Sequence, residues 1–329
     1  MPNNSLVFTN ARVKTLENTL LSSEKLTRLS NCENIEDGMK ILIESGYGGG
    51  ITAETNDFEA LLQAEDKKLC DFLKEAMPKN SGLESFLIKN DYHNAKAIVK
   101  AKYTKIVDID FMLCPQGNIE VEILKEKIFA DNYSSFSPFL SKALTTIDNA
   151  RANGDKSPRM IDCVLDIAMY AEILKLVKAS KVASVIKYWM ANIDLANISN
   201  FVRCKDINAE VDFFEQNLID GGTLSKAYFQ DAYSQSLTEF VEKLRYSDYA
   251  SVCLESLTQK NMTLFEKNWD NFCQQIFSKD KNDIFSVAPI AGFFVAKKIE
   301  IKVVRMVMIL LKAKVDKALI KQRLRDFYA

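Results

Sequence analysis

Asp91–Lys102 reads DYHNAKAIVKAK, and Asp194–Lys205, 103 residues further on, reads DLANISNFVRCK. The shift keeps Asp91 over Asp194, Asn94 over Asn197, Lys100 over Arg203 and Lys102 over Lys205. The apolar positions agree too. Ala95, Ile98 and Val99 match Ile198, Phe201 and Val202 at i, i+3, i+4, one face of a helix. A weaker third copy, Val303–Lys314 (VVRMVMILLKAK), keeps the face as Val307, Leu310 and Leu311 and the ending as Lys312-Ala313-Lys314. Its Asp and Asn positions are Val303 and Met306. Each copy predicts a helix with one buried face and a basic C-terminal turn.

A turn repeats between these helices. Leu113–Ile119 reads LCPQGNI and Leu218–Leu224 reads LIDGGTL. Gly117 and Gly222 each precede a polar and then an aliphatic residue. Glycine is expected to supply a positive φ here, and Asn118 or Thr223 to cap the next helix. Turn, helices and basic closing helix together make a unit of about 100 residues, the size of a domain rather than of a solenoid repeat. The expected units are 1–108, 109–212 and 213–329. The terminal seams are open to sharing, because the first unit lacks a leading Gly turn that the last can complete.

Between the repeats, Met160–Lys187, Phe229–Leu244 and Leu264–Phe277 are amphipathic at helical spacing, with Val164, Ile167, Ala168, Ala171, Leu174 and Ile186 as the apolar set of the first. Gly154–Pro158 and Lys279–Asp283 read as loops. With 11 Gly and 6 Pro in 329 residues the chain is poor in turn-formers. An all-α fold is the expectation.

Composition narrows the chemistry. Basic and acidic residues number 43 and 44, so nothing argues for nucleic acid as a partner. The single His, His93, would have to serve any Ser-His-Asp triad or His-based metal site. Its counterpart in the second copy is Ala196, which favours a surface or capping role. The seven Cys include no Cys-x-x-Cys pair and read as reduced, mostly buried thiols of a cytosolic protein. Gly46–Gly50 lacks the Lys-Ser or Lys-Thr of a phosphate loop and reads as a plain loop. Asp108/Asp110 and Asp162/Asp166 read as solvated or capping carboxylates, and Trp189 and Trp269 as core anchors. No catalytic residue, cofactor site or metal site is expected. Met1–Leu6 does not read as a signal peptide, and neither Ile284–Ala296 nor Val303–Leu311 is long enough to span a bilayer.

Several segments, taken in order, resemble the C subunits of V/A-type rotary ATPases, whose eukaryotic V-ATPase counterparts are the d subunits. They are Phe8–Leu21 (FTNARVKTLENTLL), Leu42–Gly48 (LIESGYG), the two Asp-x-x-Asn helices, the turn Gly221–Leu224, the run Phe265–Arg305, and the tail Ile320–Asp326 (IKQRLRD). Three departures stand out. Lys298 stands where the family usually has Glu, and Val303 where it has Asn. Val315–Leu319 (VDKAL) replaces a Gly-Leu-Pro turn, leaving the helix free to continue.

The resemblance implies three similar helical domains arranged as a funnel with pseudo-threefold symmetry. It implies a non-catalytic part of the central stalk at the cytoplasmic face of the membrane. Its partners would be the proteolipid rotor ring and the D- and F-type shaft subunits, and its role the coupling of ATP hydrolysis or synthesis to H⁺ or Na⁺ transport. The alternative is an all-helical scaffold of another multisubunit assembly. Lys100, Lys102, Arg203, Lys205, Lys312 and Lys314 are the candidate interface residues. Around an axis they would form a ring facing acidic or carbonyl groups of a rotor partner. Each also suits the negative end of its own helix dipole.

Overall fold

The computed structural model describes residues 3–50, 57–106, 108–326 and 328. Among these it holds sixteen α-helices, two short 3-10 turns and no strand. The helices are α1 (Asn3–Glu17), α2 (Ser23–Ser30), α3 (Ile35–Glu44), α4 (Phe58–Ala76), α5 (Ser85–Thr104), α6 (Val121–Phe129), α7 (Pro138–Ala152) and α8 (Pro158–Ser180). They continue as α9 (Ala183–Asp206), α10 (Val211–Glu215), α11 (Lys226–Tyr233), α12 (Leu237–Leu244), α13 (Ala250–Thr258), α14 (Met262–Ser278), α15 (Ala288–Lys312) and α16 (Lys317–Gln322). The all-α expectation holds.

Few glycines are available to stop these helices, so other residues do it. Lys105, Lys181, Asn208, Lys260 and Lys314 take the left-handed conformation that glycine would normally supply. Two expected helices are broken for this kind of reason. Met160–Lys187 is α8 and the start of α9, separated at Lys181 with φ 58°. Phe229–Leu244 is α11 and α12, separated around Ser236, whose hydroxyl and backbone N–H both donate to Glu239. The expected continuity over Val315–Leu319 is also interrupted. Lys314 turns left-handed at φ 53°, and Asp316 caps α16 by accepting from the Ala318 N–H at 2.8 Å.

The chain forms two compact units. One combines Met1–Lys79 with Val241–Ala329, and the other is Asn80–Phe240. In the second unit α5 packs on α8 and α6, α8 on α7 and α9, and α10 on α9 and α11. Trp189 is fully buried and its indole N–H donates to Ser85 Oγ at 2.7 Å. Phe201 stacks on Phe240 with ring centroids 3.8 Å apart, and Phe214 stacks on Tyr233 at 4.4 Å. The buried face of α8 is Ile161, Leu165, Met169, Tyr170, Ile173, Leu174 and Val177. Of the residues expected there, Leu174 is buried, while Val164, Ile167, Ala168 and Ala171 are half-buried, because α8 has neighbours on more than one side.

In the first unit α15 packs against α1, α2, α3, α4 and α14. That position explains why its apolar residues run nearly all round. Val303, Val304, Val307, Met308 and Leu311 are buried, whereas Leu310, expected on that face, is half-exposed. Trp269, expected in the core, is half-buried with its ring against Phe265.

Candidate functional site

The repeated helices are α5 and α9, and their shared polar residues do the same work in both. Asn94 accepts from the Cys114 N–H at 2.7 Å and donates to the Cys114 carbonyl at 2.8 Å. Asn197 does the same with Ile219, at 3.0 and 2.8 Å. Asp91 accepts from the Ile119 N–H at 2.9 Å and from the Asn118 side chain at 3.2 Å. Asp194 accepts from the Leu224 N–H at 3.0 Å, the Thr223 N–H at 2.7 Å and the Thr223 hydroxyl at 2.6 Å. All four side chains are buried. Each helix thus clasps the Gly turn that follows it, satisfying backbone groups that would otherwise be stranded in the interior.

This geometry corrects the reading of both turns. Gly117 and Gly222 do not have positive φ; Gly221 does, at 99°. A Cβ on Gly117 or Gly222 would instead collide with the Asp91 or Asp194 carboxylate. The glycines are needed for close approach. Asn118 and Thr223 are not helix caps. They donate to the clasping Asp, and the residue preceding α11 that caps it is Ser225, which accepts from the Tyr228 N–H at 3.1 Å.

The basic helix ends divide. Lys102 donates to the Ile128 carbonyl at 2.9 Å, at the end of α6, and pairs with Asp131. Lys205 donates to the Tyr233 carbonyl at the end of α11, with its ammonium 4.4 Å from the Tyr233 ring centre. Lys102 therefore neutralises the C-terminus of α6, and Lys205 that of α11, rather than of their own helices. Lys100 pairs with Asp162 at 2.6 Å, and Lys96 with Asp166 at 2.5 Å, so α5 and α8 are laced by two ion pairs. Asp162 and Asp166 are thus interhelix partners, not merely solvated groups. Arg203, Lys312 and Lys314 are exposed.

His93 is exposed and its Nε2 lies 2.9 Å from the Met112 carbonyl, holding the 110–112 turn. A hydrogen bond with the Cys114 side chain, together with the Met112 carbonyl, raises its pKa.

In the first unit, a buried charge cluster lies where neither composition nor repeat pointed. Lys297 sits 3.0 Å from Glu65 and 2.7 Å from Glu300, all three side chains being buried. Tyr47 donates to Glu300 at 2.5 Å and lies beneath the Lys297 ammonium, 4.3 Å from ring centre to Nζ. Burial, reinforced by the Glu300 charge, holds the Tyr47 hydroxyl well above its ordinary pKa. The second oxygen of Glu300 accepts from the Leu21 N–H, in the turn before α2. A carboxylate on α15 thereby makes the same kind of tie that Asp91 and Asp194 make, but to a segment from the other end of the chain. Lys298, one of the departures from the family pattern, pairs with Asp66 at 2.5 Å, and Val303, the other, is buried. Among the described residues no group of three or more His, Cys, Asp or Glu is placed to hold a metal ion. None of the described helices is long and apolar enough to cross a membrane.

In both units buried carboxylates on long helices hold neighbouring turns, Asp91 and Asp194 in one and Glu300 in the other. The family model described as ATP synthase (C/AC39) subunit matches residues 9–323. The C subunit of the V-type sodium ATPase of Enterococcus hirae is 22% identical over 325 residues, covering 97% of this chain and 98% of that protein. The C subunit of the A-type ATP synthase of Methanosphaera stadtmanae is 24% identical over 330 residues, covering 91% of this chain and 82% of its own. That of Methanocaldococcus jannaschii is 25% identical over 319 residues, covering 90% and 80%. The chain belongs to the ATP synthase (C/AC39) subunit family and is thereby a V/A-type rotary ATPase subunit.

Proposed function

We propose that the chain is a non-catalytic coupling piece. It would sit on the cytoplasmic end of the proteolipid rotor ring, receive the D- and F-type shaft subunits, and transmit torque between ATP hydrolysis or synthesis and transport of H⁺ or Na⁺. Family membership supports the rotary complex as its setting. The observation that carries the coupling role is the repeated clasp. Asp91/Asn94 and Asp194/Asn197 lock the loop after each repeated helix onto it with buried hydrogen bonds. A torque-bearing part must deform little, and close-packed helices with satisfied buried polar groups meet that need.

Three similar domains around an axis, with units near 1–108, 109–212 and 213–329 sharing their terminal seam, belong to the same proposal. The Glu300–Leu21 tie supports the shared seam, since it joins the last long helix to the first segment of the chain. In this arrangement Arg203, Lys312 and Lys314 are the cations of the expected ring most open to a partner, with Lys100, Lys102 and Lys205 already engaged within the chain. The test is co-purification of the tagged full chain. A coupling piece brings down shaft and proteolipid ring together. Recovery of an assembly lacking rotary ATPase subunits would favour the scaffold alternative.

A further inference from the structure

The first unit holds a cavity of about 440 Å³, its wall drawn from α1, α2, α14, α15 and the C-terminal segment. Several polar groups on that wall lack partners. Gln274 on α14 is 7% exposed, and its amide has no hydrogen-bond partner among the described residues. Arg325 is 8% exposed. Its Nε pairs with Asp270 at 2.9 Å and its Nη1 donates to the Arg323 carbonyl, which leaves Nη2 without a partner among the described residues. Asp270 also pairs with Lys302 at 2.8 Å, so one carboxylate answers two cations. Glu17 Oε1 and the Tyr328 hydroxyl line the same cavity, buried and without partners. The other oxygen of Glu17 meets Lys14 at 2.9 Å. Burial, with the Glu17 charge adding to it, raises the Tyr328 pKa, so the hydroxyl keeps its proton. Two further carboxylates lie on the wall. Glu300 is saturated by Lys297, Tyr47 and the Leu21 N–H, and Asp326 is exposed. The remaining wall is apolar, with Leu26, Ile299 and Val303 buried. Amide and guanidinium groups left unpaired in an interior are destabilising unless a partner of matching chemistry meets them.

We infer that this cavity binds a small zwitterion with a branched apolar body, the chemistry of an aliphatic α-amino acid. Its carboxylate meets the unpaired N–H groups of Arg325 and Gln274. Its ammonium donates to Glu17 Oε1, beside the Tyr328 hydroxyl, and its aliphatic part packs on Leu26, Ile299 and Val303. The charges on the wall select this class over simpler ligands. A free anion is opposed by Glu17, Glu300 and Asp326, and a free cation by Arg325. A hydrocarbon leaves each unpaired polar group as it is. The volume lies within the range of small-molecule sites, which likewise combine apolar walls with a few placed polar groups. The inference goes beyond the coupling role and does not depend on it.

The test is calorimetric titration of the full chain, with thermal melts alongside. The probes are L-leucine, isocaproate, which lacks the ammonium, and isoamylamine, which lacks the carboxylate. Leucine should bind and raise the thermal midpoint, and each analogue should bind about tenfold or more weakly, because it leaves a buried polar group unpaired. Gln274→Leu should weaken leucine binding about tenfold. It should leave the midpoint of the ligand-free chain unchanged or higher, since it removes an unpaired buried amide. Ala296 is buried on α15 at the cavity wall, and Ala296→Leu should abolish binding by filling the space. Failure of leucine to bind, equal binding of all three probes, or wild-type affinity in either folded variant overturns the inference and assigns the cavity to water. The coupling role survives each of those outcomes.

Discussion

Asp194 and Gly222 are fitted to one another: the carboxylate occupies the space that a side chain on residue 222 would need. Asp91 and Gly117 stand in the same relation in the other copy. The glycine lets the turn come close enough for its N–H groups to reach the carboxylate, and the carboxylate leaves no room for anything larger. Gly117→Ala and Gly222→Ala should each destabilise the chain by about 1–3 kcal/mol, with Gly222→Ala the costlier because its Cβ also presses on the Asp194 carboxyl carbon. Urea unfolding of the two variants checks the order; two neutral substitutions would contradict the fit.

The Asp91 clasp should depend on pH. Burial pushes the Asp91 carboxyl from its ordinary value of 3.8 up to about 6. A raised folded-state pKa contributes stability that is present below about 4 and is lost as pH rises through about 6. The stability of wild type relative to Asp91→Asn should therefore be greater at pH 4.5 than at pH 7.5. Asp194 receives three donors, and an amide there would turn its own N–H₂ toward one of them. Asp194→Asn should cost about 1–3 kcal/mol at neutral pH. Chemical denaturation of the pairs at both pH values checks both statements.

Removing Lys297 leaves Glu65 and Glu300 buried without their shared cation. Lys297→Met should cost about 3–5 kcal/mol. Tyr47→Phe, which removes one donor to Glu300, should cost about 1–2 kcal/mol. Thermal or urea unfolding distinguishes the two; a Lys297→Met chain as stable as wild type would mean the cluster does not hold its helices together.

The helical architecture and the equivalence of Asp91/Asn94 with Asp194/Asn197 were legible in the sequence, because a duplicated helix keeps the residues that hold its turn. What those residues do was not. Gly117 and Gly222 look the same in sequence whether they serve φ or proximity, and only the position of the carboxylate decides. The break at Lys181 was hidden because lysine rarely takes the left-handed conformation and carries no turn signature. The tie from Glu300 to Leu21 was hidden by distance along the chain: the segment it holds lies at the opposite end, so no periodic offset finds it. One signal could have exposed the cluster. Lys297 and Glu300 stand one turn apart directly after the most apolar stretch of the chain, and charges in such a place must be paired.

Among the six cations of the basic helix ends, those already tied within the chain should matter for folding and the exposed ones for assembly. Lys102→Met and Lys205→Met should lower the thermal midpoint. Arg203→Glu combined with Lys312→Glu should leave it unchanged while making the assembled complex dissociate at lower salt. A complex that keeps its salt resistance with both reversed would show that these cations face bulk water.

The coupling role is tested most directly by bridging. A tagged shaft pair immobilised on resin is offered the solubilised proteolipid ring with and without the purified full chain. The ring should be retained when the chain is present and lost when it is omitted. Equal retention without the chain, or a chain that binds the shaft but never brings the ring with it, would contradict the account.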